Sequence, residues 1–500
     1  GMLQENDGSV EMSGCSFIGN STGVAVLGST QWAYMAFGRT VFVSNQIAIS
    51  VDRESFYIWT DPYSYGGIVI DEGAAITLGP KSRYFSLRAH IDSSGNRSTV
   101  GVRLAPGARV EYWNVWESEF GQLTVGLQIP STAVLRDLEM DSVSFNDNGR
   151  AIEILADPHS SDNRPVDITI QNTEFNRNSQ GVVVERPGNV GFIESSFNGN
   201  GSDSSSAFGL NISAIKGQYG SVVVNNCVFS SNGSGSSDGA GVRIATWDAT
   251  LANVALNNNT FTGSAGWGLV TEGLLPDFAL ASNKFASTLP GYVLHQAQAT
   301  IDALGAGFGG QTLTNSTNLN ALFALADRIV DGVDISGAGL VSLHENTVVV
   351  TPHSDSPLHG TDSPSVQRAF NATSTQRNWV YLQTGIYRNG AREEVLVDTN
   401  GLSVIVPPGV TGVELVLRNA QQIHLLDNGD LPVSAALATG PVEVYGNSGK
   451  NDFEGGPGDD HFDGGPGIDS MTYPGNYDPA MIEFVNSGSS RFTQIGRAHV

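Results

Sequence analysis

The stretch VSFNDNGRAIEI, residues 143–154, is one copy of a phrase that the chain repeats. A Phe is followed by a few polar residues with Asn, then Gly and an alternating run of β-branched and apolar residues. The phrase returns at 15–26 (CSFIGNSTGVAV), 173–184 (TEFNRNSQGVVV), 195–201 with 208–213, 227–235 with 239–244, 259–270 and 283–294. Its anchors are Phe17, Phe145, Phe175, Phe197, Phe229, Phe261 and Phe285, and from Phe145 onward the intervals are 30, 22, 32, 32 and 24 residues. Further strand-like runs such as VDITIQ (166–171) and SVVVNN (221–226) lie between the phrases. Each unit is two or three short strands, too small to bury its apolar face alone but able to do so when stacked on its neighbours. The spacing therefore predicts a parallel β-helix over 1–315, with the variable intervals absorbed at turns and an array of β-sandwiches as the alternative. Asn before Gly at a recurring corner suits positive φ, and the Asn side chains are placed to bond to their equivalents one coil away.

Composition agrees with an all-β chain. Sixty glycines and only 15% charged residues among 500 point to many tight turns and little helix, and 40% hydrophobic content is enough for buried cores. Fifty acidic residues against 25 basic ones give a net charge of −25, which repels nucleic acid where no basic patch intervenes and suits a cation-rich exterior. Cys15 and Cys227 each precede an aromatic by two residues and read as core positions, more than 200 residues apart, so no disulfide is expected. No run of 18 apolar residues is present, and no membrane span is expected. The start lacks a basic-then-apolar leader and is expected to fall inside a longer gene, while 495–500 (IGRAHV) reads as a non-native tail.

The middle of the chain changes character. TNLNALFALADRIVD, 317–331, places Leu319, Leu322, Phe323, Ala326, Ile329 and Val330 on one helical face behind Ser and Thr residues suited to capping. It is expected to close the first solenoid, and 316–362 reads as helical cap and linker. Ser363-Pro364 is a helix start, followed by a strand at 379–382, and 363–445 reads as a second solenoid with its own helical cap. Gln367, Ala369 and Asn371, then Val380, Tyr381, Gly385 and Tyr387, resemble the helix-then-strand cap that opens a new β-helix.

Residues 446–485 carry a nonapeptide, G-G-x-G-x-D-x-U-x with U apolar. Gly455, Gly456, Gly458, Asp460 and Phe462 fill one copy, and Gly464, Gly465, Gly467, Asp469 and Met471 the next. A looser copy with Asn451 and Phe453 precedes them, and Val444 keeps the same beat. The repeat is similar to that of RTX proteins, which implies a calcium β-roll in which glycine-rich half-turns offer carbonyls and carboxylates to Ca2+. Two nonapeptides make one turn of such a roll. Its ligand pairs would be Asn451 with Asp469 and Asp460 with Asp478.

The phrase of the first 300 residues resembles the repeat of right-handed parallel β-helix proteins in the pectate-lyase-like superfamily, a fold that hosts lyases, hydrolases, epimerases, tailspikes and adhesins. Asp157-Pro158-His159 matches the core of the catalytic motif of mannuronan C-5 epimerases, which also join β-helices to RTX modules. There a carboxylate neutralises the uronate while His and Tyr move the C-5 proton. The family's Tyr is Ile154 here, and the Asp of the following coil is at best Glu185. The alternative for Asp157 is a turn-capping role. Arg243 is a weaker candidate for a lyase base, with Asp248 near it in sequence, and Tyr112, Trp113 and Trp116 are candidates for stacking on sugar rings.

The expectation is thus an all-β chain: a right-handed parallel β-helix, a second short β-solenoid and a calcium β-roll. Its expected role is adhesion or extracellular glycan binding by a secreted or surface-attached bacterial protein, with Ca2+ bound and a glycan or cell-surface ligand as partner. The alternative is an extracellular polysaccharide epimerase or lyase.

Overall fold

The computed structural model describes residues 2–4, 9–27, 33–38, 40–60, 68–94, 98–160, 163–202, 207–237, 239–352, 365–387, 393–456, 460–472 and 490–494. Two compact units divide the chain: 1–299 with 305–312, and 300–304 with 313–500.

In the first unit three strands make a coil. Val134–Asp141, Ser144–Asn146 and Arg150–Ile154 pair in parallel with Val166–Gln171, Glu174–Asn176 and Gln180–Val184, the strands in the same places one coil on. This is a parallel β-helix; a sandwich array would pair its strands antiparallel. The shortest strand carries the Phe beat. Phe120, Phe145, Phe175, Phe197, Phe229, Phe261, Phe285 and Phe308 occupy one register position, buried, with consecutive ring centroids 4.6–5.3 Å apart. The strand repeat of about 4.8 Å lets the rings lie face to face, worth about 0.5–1.5 kcal/mol per pair beyond burial. Phe17 and Phe42 stack in the same way at 5.0 Å. Phe42, Phe120 and Phe308 belong to the same beat although their surroundings lack the full Asn and Gly signature of the phrase.

The corner Asn itself does not take the left-handed turn expected of it. The left-handed residue is the one before the corner Asn: Asp147 (φ 58°), Arg177 (φ 53°), Gly199 (φ 66°) and Ser231 (φ 54°) precede Asn148, Asn178, Asn200 and Asn232. The reason is that the Asn side chain is needed inside. Each of the four is buried and donates through Nδ2 to a carbonyl of the Phe strand, as Asn200 does to Phe175 O at 2.7 Å. Asn200 Oδ1 in turn accepts from Asn178 N at 3.1 Å and Asn178 Nδ2 at 2.8 Å, and the ladder runs unbroken from Asn148 to Asn232. Asn259 and Asn283 repeat the pattern at the opposite corner. Glycine after the corner Asn turns with positive φ at Gly201 and Gly233 (both 78°), whereas on other coils glycine serves packing. A Cβ on Gly126 would lie 2.7 Å from Phe145 Cδ1, and one on Gly268 would lie 2.7 Å from Phe285 Cδ1. Replacing Asn200 by Ala strips partners from a buried N–H and a buried carbonyl; we expect a loss of at least about 2 kcal/mol in chemical denaturation, and an unchanged midpoint would refute the ladder's role.

Both cysteines are free: Cys227 is buried at a corner, where burial pushes its thiol up to about 11, and Cys15 is half-buried. Among the described residues no helix is long and apolar enough to cross a membrane.

In the second unit the expected long helix is shorter. It spans Leu319–Ala326 (α1), capped by Asn318, whose side chain accepts from Ala321 N at 3.0 Å. Ile329–Val330 is a strand instead, because Asp327 closes the helix and Ile329 and Val330 are buried in extended form. A second helix covers Ser365–Asn371 (α2). Gln367 grips Leu396 at both ends, accepting from its N–H at 2.7 Å and donating to its carbonyl at 3.0 Å, which docks α2 on the strand Glu393–Val397. Tyr387 is buried and donates to the carbonyls of Gln383 (3.0 Å) and Val350 (3.2 Å).

From there two parallel sheets face each other across one core. One runs Thr347–Val350, Trp379–Leu382, Leu402–Ile405, Gln422–Leu426, Glu443–Tyr445 and His461–Asp463, and the other runs from Glu393–Val397 through Val413–Leu417, Val433–Ser434 and Asp452–Glu454 to Gly467–Thr472 and Ser490–Gln494. The glycine-rich end continues these sheets without a break. Ile423, Val444 and Phe462 share one register position, as do Leu415, Val433, Phe453 and Met471 on the other sheet.

Candidate functional site

The nonapeptide beat becomes geometry at 444–471. Val444 pairs with Phe462 and Phe453 with Met471, each 18 residues on, so successive nonapeptides alternate between the two sheets. Val444 and Phe453 are buried, and the Phe453 and Phe462 rings stack across the core at 5.2 Å. The turns stack as well. A Cβ on Gly446 would lie 2.6 Å from Gly464 O, one on Gly465 2.7 Å from Asn447 O, and one on Gly467 2.5 Å from Gly449 O. Only glycine allows backbones this close.

Polar side chains bind the roll to itself. Asn451 N donates to Asp469 Oδ1 at 3.0 Å, joining the expected pair across one coil. Asn451 Oδ1 accepts from Asn447 N at 3.0 Å. Asp460 accepts from Gly456 N at 2.9 Å through Oδ2 and from Val442 N at 3.2 Å through Oδ1. Asp469 differs from Asp460: it is fully buried, and among the described residues its Oδ2 has no hydrogen-bond partner. A Cβ on Gly464 would lie 2.3 Å from that oxygen. Burial pushes the Asp469 carboxyl up, with the nearby charges of Asp452 and Asp463 adding to the rise and the Asn451 N–H opposing it. A buried carboxylate oxygen without a donor costs free energy that a cation would recover. Gly455 is buried beside this region, while Gly458 and Asp478 lie outside the described residues.

The Asp157 corner is a turn. Asp157 Oδ1 accepts from His159 N at 2.9 Å, Asp157 N donates to Asn163 Oδ1 at 2.9 Å, and the His159 side chain is exposed. Glu185 comes to the same corner, where its Oε2 accepts from Ala156 N at 2.8 Å and burial pushes its carboxyl up. Among the described residues no hydrogen bond between side chains joins Asp157, His159 and Glu185. Ile154, in the place of the epimerase Tyr, is core.

Arg243 pairs with Glu272 on the next coil rather than with Asp248. Its Nε and Nη2 reach the two carboxylate oxygens at 2.9 and 2.6 Å, and Nη1 donates to Ser213 Oγ at 2.7 Å and Asn211 Oδ1 at 3.1 Å. All three guanidinium nitrogens are thus engaged with Glu272, Ser213 and Asn211. Trp113 is core, set edge-on to Phe85, whereas Tyr112 and Trp116 alternate with it on the outward face of their strand.

No family model matches the chain, and no curated protein matches it. Among solved structures, full-length tailspike protein 2 of the Escherichia coli O157:H7 bacteriophage CAB120 is similar, with a TM-score of 0.32 and 13% identity over 59% of this chain. The match spans 44% of that protein's length.

Proposed function

We propose that this β-helix protein works outside the cell, as a bacterial secreted or surface-attached adhesin or glycan-binding protein whose C-terminal β-roll, of RTX type, is completed by calcium. The observation that carries the calcium part is the buried Oδ2 of Asp469, without a hydrogen-bond partner among the described residues, in a cradle that only glycine leaves open. Asp469 would hold the ion with the turn carbonyls stacked around it, and Asp460 and Asn451 would shape the neighbouring half-turns. Bound calcium would supply the positive charge that a desolvated carboxylate lacks. An extracellular setting, where calcium is abundant, agrees with the −25 net charge.

Glycan binding is favoured over epimerase or lyase chemistry because Asp157 closes its own turn, His159 is exposed and Arg243 is committed to Glu272. Calcium titration followed by circular dichroism tests the calcium reading: β-signal should rise with the ion, and Asp460→Ala with Asp469→Ala should abolish the rise. A flat response in the parent protein would reject it. Unsaturated products or an altered uronate ratio after incubation with alginate or pectin would instead establish the enzymatic alternative.

A further inference from the structure

We propose that the outward face of the strands within 33–60 and 84–141 is a glycan-binding platform selective for polymers of amino sugars over uronates. The inference deepens the glycan-binding part of the reading above and is independent of its calcium part.

The register builds the face. Tyr34 lies beside Tyr57, and Tyr84 beside Tyr112; Trp59 and Arg88 sit side by side, with Trp116 on the same face of the next coil. All point away from the core, because Phe56, Ile58, Phe85, Leu87, Trp113 and Val115 take the alternate, buried positions. Tyr34 and Tyr84 are 41% and 43% exposed, and the other four rings are half-buried. Tyr57 and Trp116 lean together over the strand between them, with centroids 5.4 Å apart and planes within 12°. Six aromatic rings on one outward face are not explained by the core, which is already filled from the other side. Flat rings repeated at the coil spacing of about 4.8 Å match the apolar C–H faces of successive pyranose units.

Charge selects the partner. On the next coil Asp137 stands beside Tyr112, Glu139 beside Asn114 and Asp141 beside Trp116, all on the same face. Asp167 follows beside Asp137, and Tyr112 donates its hydroxyl to Glu139. Burial and the neighbouring charges of Asp167, Glu139 and Glu111 push the Asp137 carboxyl up against a partial counter-effect of Arg136, the mark of a locally negative field. Arg88 is neutralised by Glu117. A polyuronate would meet repulsion here, whereas protonated amino groups would find carboxylates and ring faces together.

The test is calorimetry on the full chain with three hexasaccharides: deacetylated chitohexaose, its N-acetylated form and hexagalacturonate. Deacetylated chitohexaose should bind at least tenfold more tightly than hexagalacturonate. Tyr57→Ala with Trp116→Ala should weaken it at least tenfold, and Asp137→Asn with Asp141→Asn should narrow its advantage over the acetylated form. Unchanged thermal midpoints, expected for outward residues, would show the variants folded. Binding that survives Tyr57→Ala with Trp116→Ala, or a preference for hexagalacturonate, would overturn the platform and leave the general glycan reading standing. No binding of any of the three, nor of other neutral glycans, would remove both.

Discussion

Phe197→Ala should destabilise the first unit by about 3–5 kcal/mol in guanidinium denaturation. Phe197 is fully buried in the middle of the stack, with Phe175 at 4.6 Å, Phe229 at 4.7 Å and Phe192 edge-on at 5.8 Å. Removing the ring loses its transfer free energy and both stacking contacts. The parallel ladders on either side of it keep the coils at their spacing, so the cavity has little room to collapse. Val228 supplies the control: it lies one residue from Phe229 on the same short strand but is 45% exposed, and Val228→Ala should change stability by no more than about 0.5 kcal/mol. A loss below about 1 kcal/mol for Phe197→Ala would mean that the stack is incidental to stability.

The second large effect expected, if the proposed calcium site is occupied, is a pH-dependent exchange between proton and calcium at Asp469. A carboxyl whose folded pKa lies above its unfolded value holds its proton more tightly in the native state. Its contribution is therefore most favourable below the ordinary carboxylate range, and it declines as pH rises through that range to the folded pKa. In EDTA, the stability of the parent relative to Asp469→Asn should fall between acid and neutral pH, and the variant should be the more stable at pH 7. Calcium should reverse the order at pH 7. At 100 times its Kd it adds about 2.7 kcal/mol to the parent and nothing to Asp469→Asn. Paired carboxylates such as Asp398, held low by Arg418, and Asp147, held low by Arg177, titrate in the opposite sense. For that reason the difference between parent and variant, rather than either curve alone, is the measurement. Identical pH profiles in EDTA, or a calcium response that persists in Asp469→Asn, would contradict the assignment.

What repeats along the chain was legible in its sequence. In a solenoid each coil touches its neighbours, so a one-dimensional period becomes a spatial ladder. The Phe beat, the Asn-to-Asn bonds and the alternation of Val444, Phe453, Phe462 and Met471 all followed from spacing. The parallel β-helix and the 18-residue coil at the glycine-rich end were readable for the same reason. Single-copy features were not. The end of α1 at Ala326 depended on Ile329 and Val330 being recruited to a strand, which helical periodicity does not register. Asp248 is near Arg243 in sequence, yet a strand turns alternate residues outward and the next coil delivers Glu272 to the guanidinium.

The aromatic face shows the division most clearly. The sequence by itself marked Tyr112, Trp113 and Trp116 together as candidates for stacking on sugar rings, without separating Trp113, which is core, from the outward two. That Tyr57 meets Trp116, that Arg88 lies near Tyr57 and Trp116, and that Asp137, Glu139 and Asp141 border the rings was decided only by tertiary structure. Coil lengths vary with their loops, and the register that aligns one coil with the next is chosen by the packing of buried residues, not by the outward residues that the packing brings together.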